Sequence, residues 1–319
     1  MADALTEWAK LEKDPVMKGI FKEIITADFL MAMLRFKSFE GNSLVYNREL
    51  TLPSAETHQV GDTWETTKPT FTKKTASLTT VGTQSGVDMY IRETRGSVQD
   101  PNGVNMMLMT KALTREISRL VIQGEPESIT TEFEGLDSLC RSETRMMAMD
   151  DGNIDGPGTA ETELTMDRLD ALIDQIDDGM TKPDALIMNN TMRRKLSSLA
   201  RASSVSGIFE NNVEMFGHKV STYDGIPIVR TNFITDSEEY NDASTWPSST
   251  ATSIFAVRFG EENEGYTLLH NGPVMQPRVR KLGIKRDEEI EEFRLVVYLQ
   301  GVTFSSKQVI GLGGIDSAS

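Results

Sequence analysis

Apolar residues recur every three to four positions through the middle of the first half of the chain. Met106, Met109, Leu113, Ile117 and Leu120 share one face, and Val104, Leu108 and Ala112 widen the stripe, which predicts a single amphipathic helix from Asp100 to Gly124. Asp100 is placed to cap the first free N–H groups, Pro101 takes the first helical position, where its missing N–H costs nothing, and Gly124 supplies a stop. At ~1.5 Å per residue such a helix spans roughly 35 Å, long against a mean of about three turns. A large body must lie along it.

The segments before this helix are of two kinds. Residues 1–37 read as an arm of short helices: Asp14-Pro15 repeats the cap-and-proline signature, and Met17, Ile20, Ile24, Met31 and Leu34 give a partial stripe. The stripe is too apolar for water and too short for its own core, so it packs on this chain or on a neighbour, or forms an ordinary N-terminal helical hairpin. From 38 to 90 the chain turns rich in threonine. Leu44, Tyr46, Leu50 and Leu52 alternate along one strand, Phe71, Lys73 and Thr75 through Val81 suggest a returning strand, and PSAETHQVGDTWETTKP between them suits a wide loop. This long hairpin is marginal alone and calls for support from the adjacent subunit of an assembly or from its own core.

After the helix comes an acidic, glycine-rich loop. Asp151, Asn153, Asp155 and Gly156 imitate the front of a calcium-binding loop, but the twelfth position falls on Thr162, so a solvated loop is expected. A helix begins near Thr165, marked by Met166, Leu169, Leu172, Ile173 and Ile176. A buried strand Ala185 to Met188 and a helix Thr191 to Arg201 follow. Further on, a turn at Tyr223-Asp224-Gly225 leads to a strand Ile226 to Arg230, whose Pro227 favours an edge position, and strands follow at Thr252 to Arg258 and Tyr266 to His270. Residues 160–270 thus form an α/β unit. The strands around Arg278, at Phe293 to Leu299 and at Val302 to Phe304 have no closed core of their own, so they are expected to return to the long helix, making 91–159 and 271–319 one domain with 160–270 inserted. GLGGIDS near the end lacks a Walker lysine and a following helix and reads as a flexible tail.

Composition narrows the function. Of 319 residues 38% are hydrophobic, which suits a folded domain, and no run of about 18 apolar residues could span a bilayer. No basic-then-apolar leader precedes the arm, and the lone Cys140 forms no internal disulfide, so a cytosolic, reducing setting is expected. The 48 acidic against 33 basic residues, net charge −15, argue against a dedicated nucleic-acid binder. His58, His218 and His270 lie in unrelated segments with no zinc or triad spacing, and no carboxylate pair signals acid–base work. No catalytic, cofactor-binding or metal residue is therefore assigned, and an acidic metal-dependent hydrolase using the 150–163 loop is the remote alternative. Arg193, Arg194 and Lys195 form a basic cluster on a helix, a solvated face or a subunit contact.

The segments SVQDPNGVNMMLMTKALTREISRLVIQGE, PDALIMNNTMRRKLSSLAR and YDGIPIVRTN, with the order of parts around them, resemble the major capsid protein of tailed phages, the Hong Kong 97-type fold. The resemblance covers nearly the whole chain. It implies an α+β fold with an N-terminal arm (1–37), a long β-hairpin or E-loop (38–90), a P-domain (91–159 and 271–319) with the spine helix 100–124, and an inserted α/β A-domain (160–270). It further implies a structural subunit, not an enzyme, that builds an icosahedral shell of hexamers and pentamers in the virion, assembled in the host cytoplasm. A separate scaffolding protein, a portal protein at one vertex and packaged double-stranded DNA held without sequence-specific contacts would be its partners, with no membrane involved. Trp8, Phe21, Trp64, Lys68, Arg193 and Arg194 are the candidate subunit contacts, since aromatic and arginine residues on projecting elements anchor interfaces. Lys68, Lys73 and Lys74 lie in or beside the hairpin without an alignable asparagine partner, so no isopeptide crosslink is expected. An encapsulin-type cellular nanocompartment, carrying enzyme cargo instead of DNA, is the alternative within the same fold.

Overall fold

The computed structural model describes residues 29–59, 61, 63, 66–90, 93, 101–149, 162–202, 209–215, 218–238, 251–260, 265–272, 277–285 and 289–317. The order of elements is α1 (Phe29–Met33), β1 (Phe36–Phe39), β2 (Ser43–Thr51), β3 (Thr70–Ser77), β4 (Thr79–Asp88) and α2 (Pro101–Gln123). There follow α3 (Leu136–Ser142), β5 (Met146–Ala148), α4 (Met166–Asp174), β6 (Ala185–Met188), α5 (Asn190–Ala202), β7 (Phe209–Met215), β8 (His218–Tyr223) and β9 (Ile226–Arg230). The chain ends through β10 (Ala251–Val257), β11 (Tyr266–Asn271), β12 (Arg278–Ile284), β13 (Ile290–Thr303) and β14 (Val309–Asp316).

The long helix forms as its periodicity predicts, and it lies on a five-stranded sheet. Strand β13 organises that sheet: one edge pairs with β4 from Ile290 to Leu299, while the other is shared between β12 and β11, with β1 parallel to β11 beyond. Alternation along β13 turns Phe293, Leu295, Val297 and Leu299 inward, where they share a core with Met109, Leu113, Ile117 and Leu120 of α2. What reads in the sequence as two strands is thus one strand of 14 residues. Gly124 ends the helix for a reason other than the one the sequence suggests. Its backbone is not left-handed; it is buried, and a Cβ there would lie 2.1 Å from the Phe133 carbonyl oxygen. The glycine allows the chain leaving α2 to be crossed by the chain entering α3, a contact sealed by the Gly135 N–H donating to the Gly124 carbonyl at 2.8 Å.

The second, seven-stranded sheet runs β5-β14-β10-β6-β9-β8-β7. One face carries α4 and α5, packed through Leu169, Leu172, Met192 and Leu196 on Leu186, Ile228, Ile254 and Ile310. The other, with Ile187, Val229, Phe255 and Val257, merges with the core around α2. Both helices start on side-chain caps: the Thr165 hydroxyl accepts from the Arg168 N–H, and Asn189 Oδ1 accepts from the Met192 N–H at 2.8 Å.

Residues 29–39 pack on this chain, one of the alternatives open to the arm: Leu30, Met31 and Leu34 are buried in the main core and β1 joins β11. Other expectations change. The glycine-rich segment near the end is no flexible tail: it is β14, buried and paired on both sides, antiparallel to β10 and parallel to β5. Strand β9 is interior and not an edge. Pro227 is tolerated because pairing with β8 ends at that residue and pairing with β6 begins one residue later, at Ile228. Strand β11 lies in the five-stranded sheet and β14 in the seven-stranded one, so sheet membership does not change at residues 160 and 270.

Candidate assembly surface

The hairpin is antiparallel β2–β3, with Tyr46 opposite Lys74 and Arg48 opposite Thr72. Alternation gives it two faces. Inward point Leu44, Tyr46 and Ala76, against Leu269, Val302 and Phe304 of the body. Outward stand Val45 and Phe71, exposed with Leu52 beyond the strand end. The returning strand does not stop at the hairpin: after Leu78 the chain enters β4, so hairpin and five-stranded sheet share a continuous backbone.

Arg48 locks the base of this projection. Its Nε donates to the Phe304 carbonyl at 3.0 Å, its Nη2 to the Thr303 carbonyl at 2.8 Å and its Nη1 to Glu143 Oε2 at 2.6 Å. Lys74, across the hairpin, donates to the other Glu143 oxygen at 2.9 Å. Tyr46 adds a hydroxyl donated to the Thr303 carbonyl at 3.2 Å and an edge-on contact with Phe304, ring centres 5.1 Å apart. Glu143 is the residue that closes α3, and Thr144 after it takes a positive φ of 54°, turning the chain sharply into β5. Burial pushes the Glu143 carboxyl up, but hydrogen bonds from Lys74 and Arg48 overcome this and hold it below its ordinary value. Burial, only partly countered by Arg48, raises the Tyr46 phenol. The hairpin is therefore a braced lever whose mostly polar outer face exposes Val45 and Phe71. At the strand ends the Thr51 and Thr70 hydroxyls meet at 2.6 Å, and beyond them the Ser54 N–H donates to Thr67 Oγ1 at 2.9 Å, which carries the contact into the loop.

The sequence candidates fall on separate elements. Lys68 is exposed in the hairpin loop. Trp8, Phe21 and Trp64, and nearly all of the calcium-like loop, lie outside the described residues. Arg193, half-buried on α5, reaches Ser221 Oγ at 3.5 Å, Arg194 is exposed beside Thr191, and Lys195 donates to the Asp316 carbonyl. Arg48, Lys74 and Glu143 escape sequence reasoning as a group because 95 residues separate Arg48 from Glu143 and no motif marks the pairing. Among the described residues no cluster of histidine, cysteine and carboxylate side chains could hold a metal. His270 is buried, with burial pushing its pKa down, and burial pushes the Cys140 thiol well up. No described helix is long and apolar enough to cross a membrane.

The family model described as Type 2A encapsulin shell protein SrpI-like matches residues 159–311. Among solved structures, the holo-SrpI encapsulin complex from Synechococcus elongatus PCC 7942 is similar with a TM-score of 0.67 at 17% identity, covering 92% of this chain and 90% of that one. The capsid of cyanophage A-1(L) gives a TM-score of 0.66 at 11% identity, covering 90% and 92%. The capsid of a native GTA particle gives 0.60 at 13%, covering 90% and 89%. A search of the curated proteins finds no match. The chain has the Hong Kong 97-type α+β fold shared by encapsulins and phage capsids.

Proposed function

We propose that this chain is the subunit of a self-assembling cellular nanocompartment of the encapsulin kind, closing with copies of itself around protein cargo in the cytoplasm. The observation that carries this reading is the Type 2A encapsulin model over residues 159–311. The fold likeness alone does not separate compartment from virus, since the encapsulin and cyanophage structures have TM-scores of 0.67 and 0.66. The family match favours the compartment over the virion that the phage resemblance implies. Scaffold, portal and packaged genome belong to the viral reading.

In this reading the parts 29–39, the hairpin and the two sheets form a subunit whose projections meet its neighbours in closed, symmetric rings. The hairpin around Trp64 and Lys68, the arm around Trp8 and Phe21, and Arg193 and Arg194 are the contact candidates. Trp64→Ala reduces assembly and leaves monomer folding intact. Loss of folding would place Trp64 in a core and defeat that assignment.

Purification from the native cell, followed by negative-stain microscopy, nuclease treatment and mass spectrometry, tests the function. Closed shells of uniform diameter with a stoichiometric second protein and no protected DNA are expected. Shells that protect DNA would make the protein a viral capsid, and a monomer under every salt condition would remove the shell reading altogether.

A further inference from the structure

The face of the five-stranded sheet that points away from α2 carries a charge arrangement that the hairpin contacts leave unused. Pairing sets Arg280 opposite Arg294 and Arg278 opposite Val296, while on the other edge Gln84 stands opposite Arg294 and Thr80 opposite Tyr298. Because Phe293, Leu295 and Val297 turn toward the helix, alternation sends Arg294, Tyr298 and their cross-strand partners the other way. Arg278, Arg280 and Arg294 are all exposed.

Their direct hydrogen-bond partners are neutral. Arg278 Nη2 donates to Asn271 Oδ1 at 2.7 Å, and its guanidinium lies 5.3 Å from the centre of the Tyr298 ring. Arg280 Nη2 donates to the Tyr298 hydroxyl at 3.2 Å. Arg294 donates through Nε and Nη2 to Gln84 Oε1 at 3.0 and 2.6 Å, and Gln84 in turn donates to Glu292 Oε2 at 3.1 Å. Glu292 therefore reaches the group only through Gln84. Among the described residues none of the three guanidiniums forms an ion pair with a carboxylate. Like charges directly opposite each other across a strand pair destabilise it, so Arg280 and Arg294 cost the isolated subunit free energy that an incoming anion would return.

We propose that Arg278, Arg280 and Arg294, set around Tyr298, form a docking platform for an acidic surface of a second copy of this chain. The proposal rests on the shell reading and deepens it. Two copies each carrying a net charge of −15 repel, and a local surface of opposite sign offsets that repulsion where the copies meet. Guanidinium forks match carboxylates in a bidentate geometry, and an aromatic ring between them supplies the apolar centre typical of a contact anchor. A nucleic acid fits less well, because its backbone would meet the same negative field around this single patch.

The test compares the full chain with R280E/R294E and with the charge-neutral R280Q/R294Q, by sedimentation and microscopy over graded salt, with thermal melting of each. If the platform is a contact, the charge-reversed chain needs roughly tenfold or more protein to assemble. The melting temperature of the neutral R280Q/R294Q chain stays level or rises, because the repulsion between the two opposed arginines is relieved. Shell formation by both variants at the wild-type concentration overturns the platform and leaves the shell reading standing. A wild-type chain that stays monomeric overturns both. Normal assembly of the variants with loss of labelled DNA that the wild type retains would give the patch to nucleic acid. Unfolding of both variants would assign the arginines to the fold and end the proposal.

Discussion

Arg48 and Glu143 meet at 2.6 Å on the seam between hairpin and body, and their side chains keep only 13% and 15% exposure. A charge pair this enclosed is worth more than a surface bridge, and removing one member strands the other. Glu143→Gln is expected to cost about 1–3 kcal/mol in urea unfolding, and to speed amide exchange through 43–51 and 70–77. Unchanged exchange there would show that apolar packing on Phe304 alone holds the lever.

Lys74 reaches the same carboxylate with 41% of its side chain exposed. Solvent screens it, so Lys74→Met should cost less than about 1 kcal/mol. A loss as large as that of Glu143→Gln would mean that the lysine is the main brace.

Acid should release the hairpin. The Glu143 carboxyl lies below its ordinary value of 4.5 in the fold, so its stabilising contribution is fully present above that value and is lost as pH falls through the lower, folded one. Wild type and Glu143→Gln should therefore differ in thermal midpoint at pH 7 and converge in strong acid. A gap that persists in acid would contradict the brace.

Glu238 carries the opposite sign. Burial first, and then the charge of Asp137, push its carboxyl up to about 8, with Asp236 adding to the rise and Arg141 opposing it. The folded chain thus holds the proton more tightly than the unfolded one, and stability drains away as pH climbs from the ordinary value of 4.5 toward 8. Glu238→Gln should raise the thermal midpoint at pH 8 and leave it unmoved at pH 4. Equal midpoints at both would place Glu238 in water.

Glycines offer a test of the packing. Gly124→Ala drives a Cβ against a backbone carbonyl and should cost about 1–3 kcal/mol or more. Gly225→Ala meets open space but a φ of 79°, for a cost of about 1–2 kcal/mol. If the order of the two is reversed, the crossing of α2 and α3 is looser than it stands here.

The sequence and the fold agree where side-chain periodicity is strong. The long helix, expected from Asp100 to Gly124, runs from Pro101 to Gln123, and the strand Ala185 to Met188 falls where its four apolar residues put it. Agreement fails where the signal is carried by what is absent. Residues 309–316 include three glycines, which have no side chain to show alternation, and Gly311 leaves room for Met146, whose sulfur would lie 2.6 Å from a Cβ there. Pro227 misled because an interior strand can lack a rung where pairing changes sides. The hairpin itself was legible from alternation, but its brace was not, since nothing local to Arg48 announces a glutamate at the end of a distant short helix.

The position of β14 bears on how such a subunit is made. It lies between β5 and β10, second from one edge, so β5 has no partner and β10 lacks its neighbour on that side until residue 316 has left the ribosome. Everything upstream can collapse, but neither face of that sheet can settle, because Ile310, Leu312 and Val309 belong to the cores on its two sides. Long-range strand pairing of this sort is slow and comes late. A nascent chain therefore has no finished surface to offer a neighbour. The same insertion that completes the sheet acts as a licence: in the shell proposed above, only chains that have placed β14 enter the assembling population.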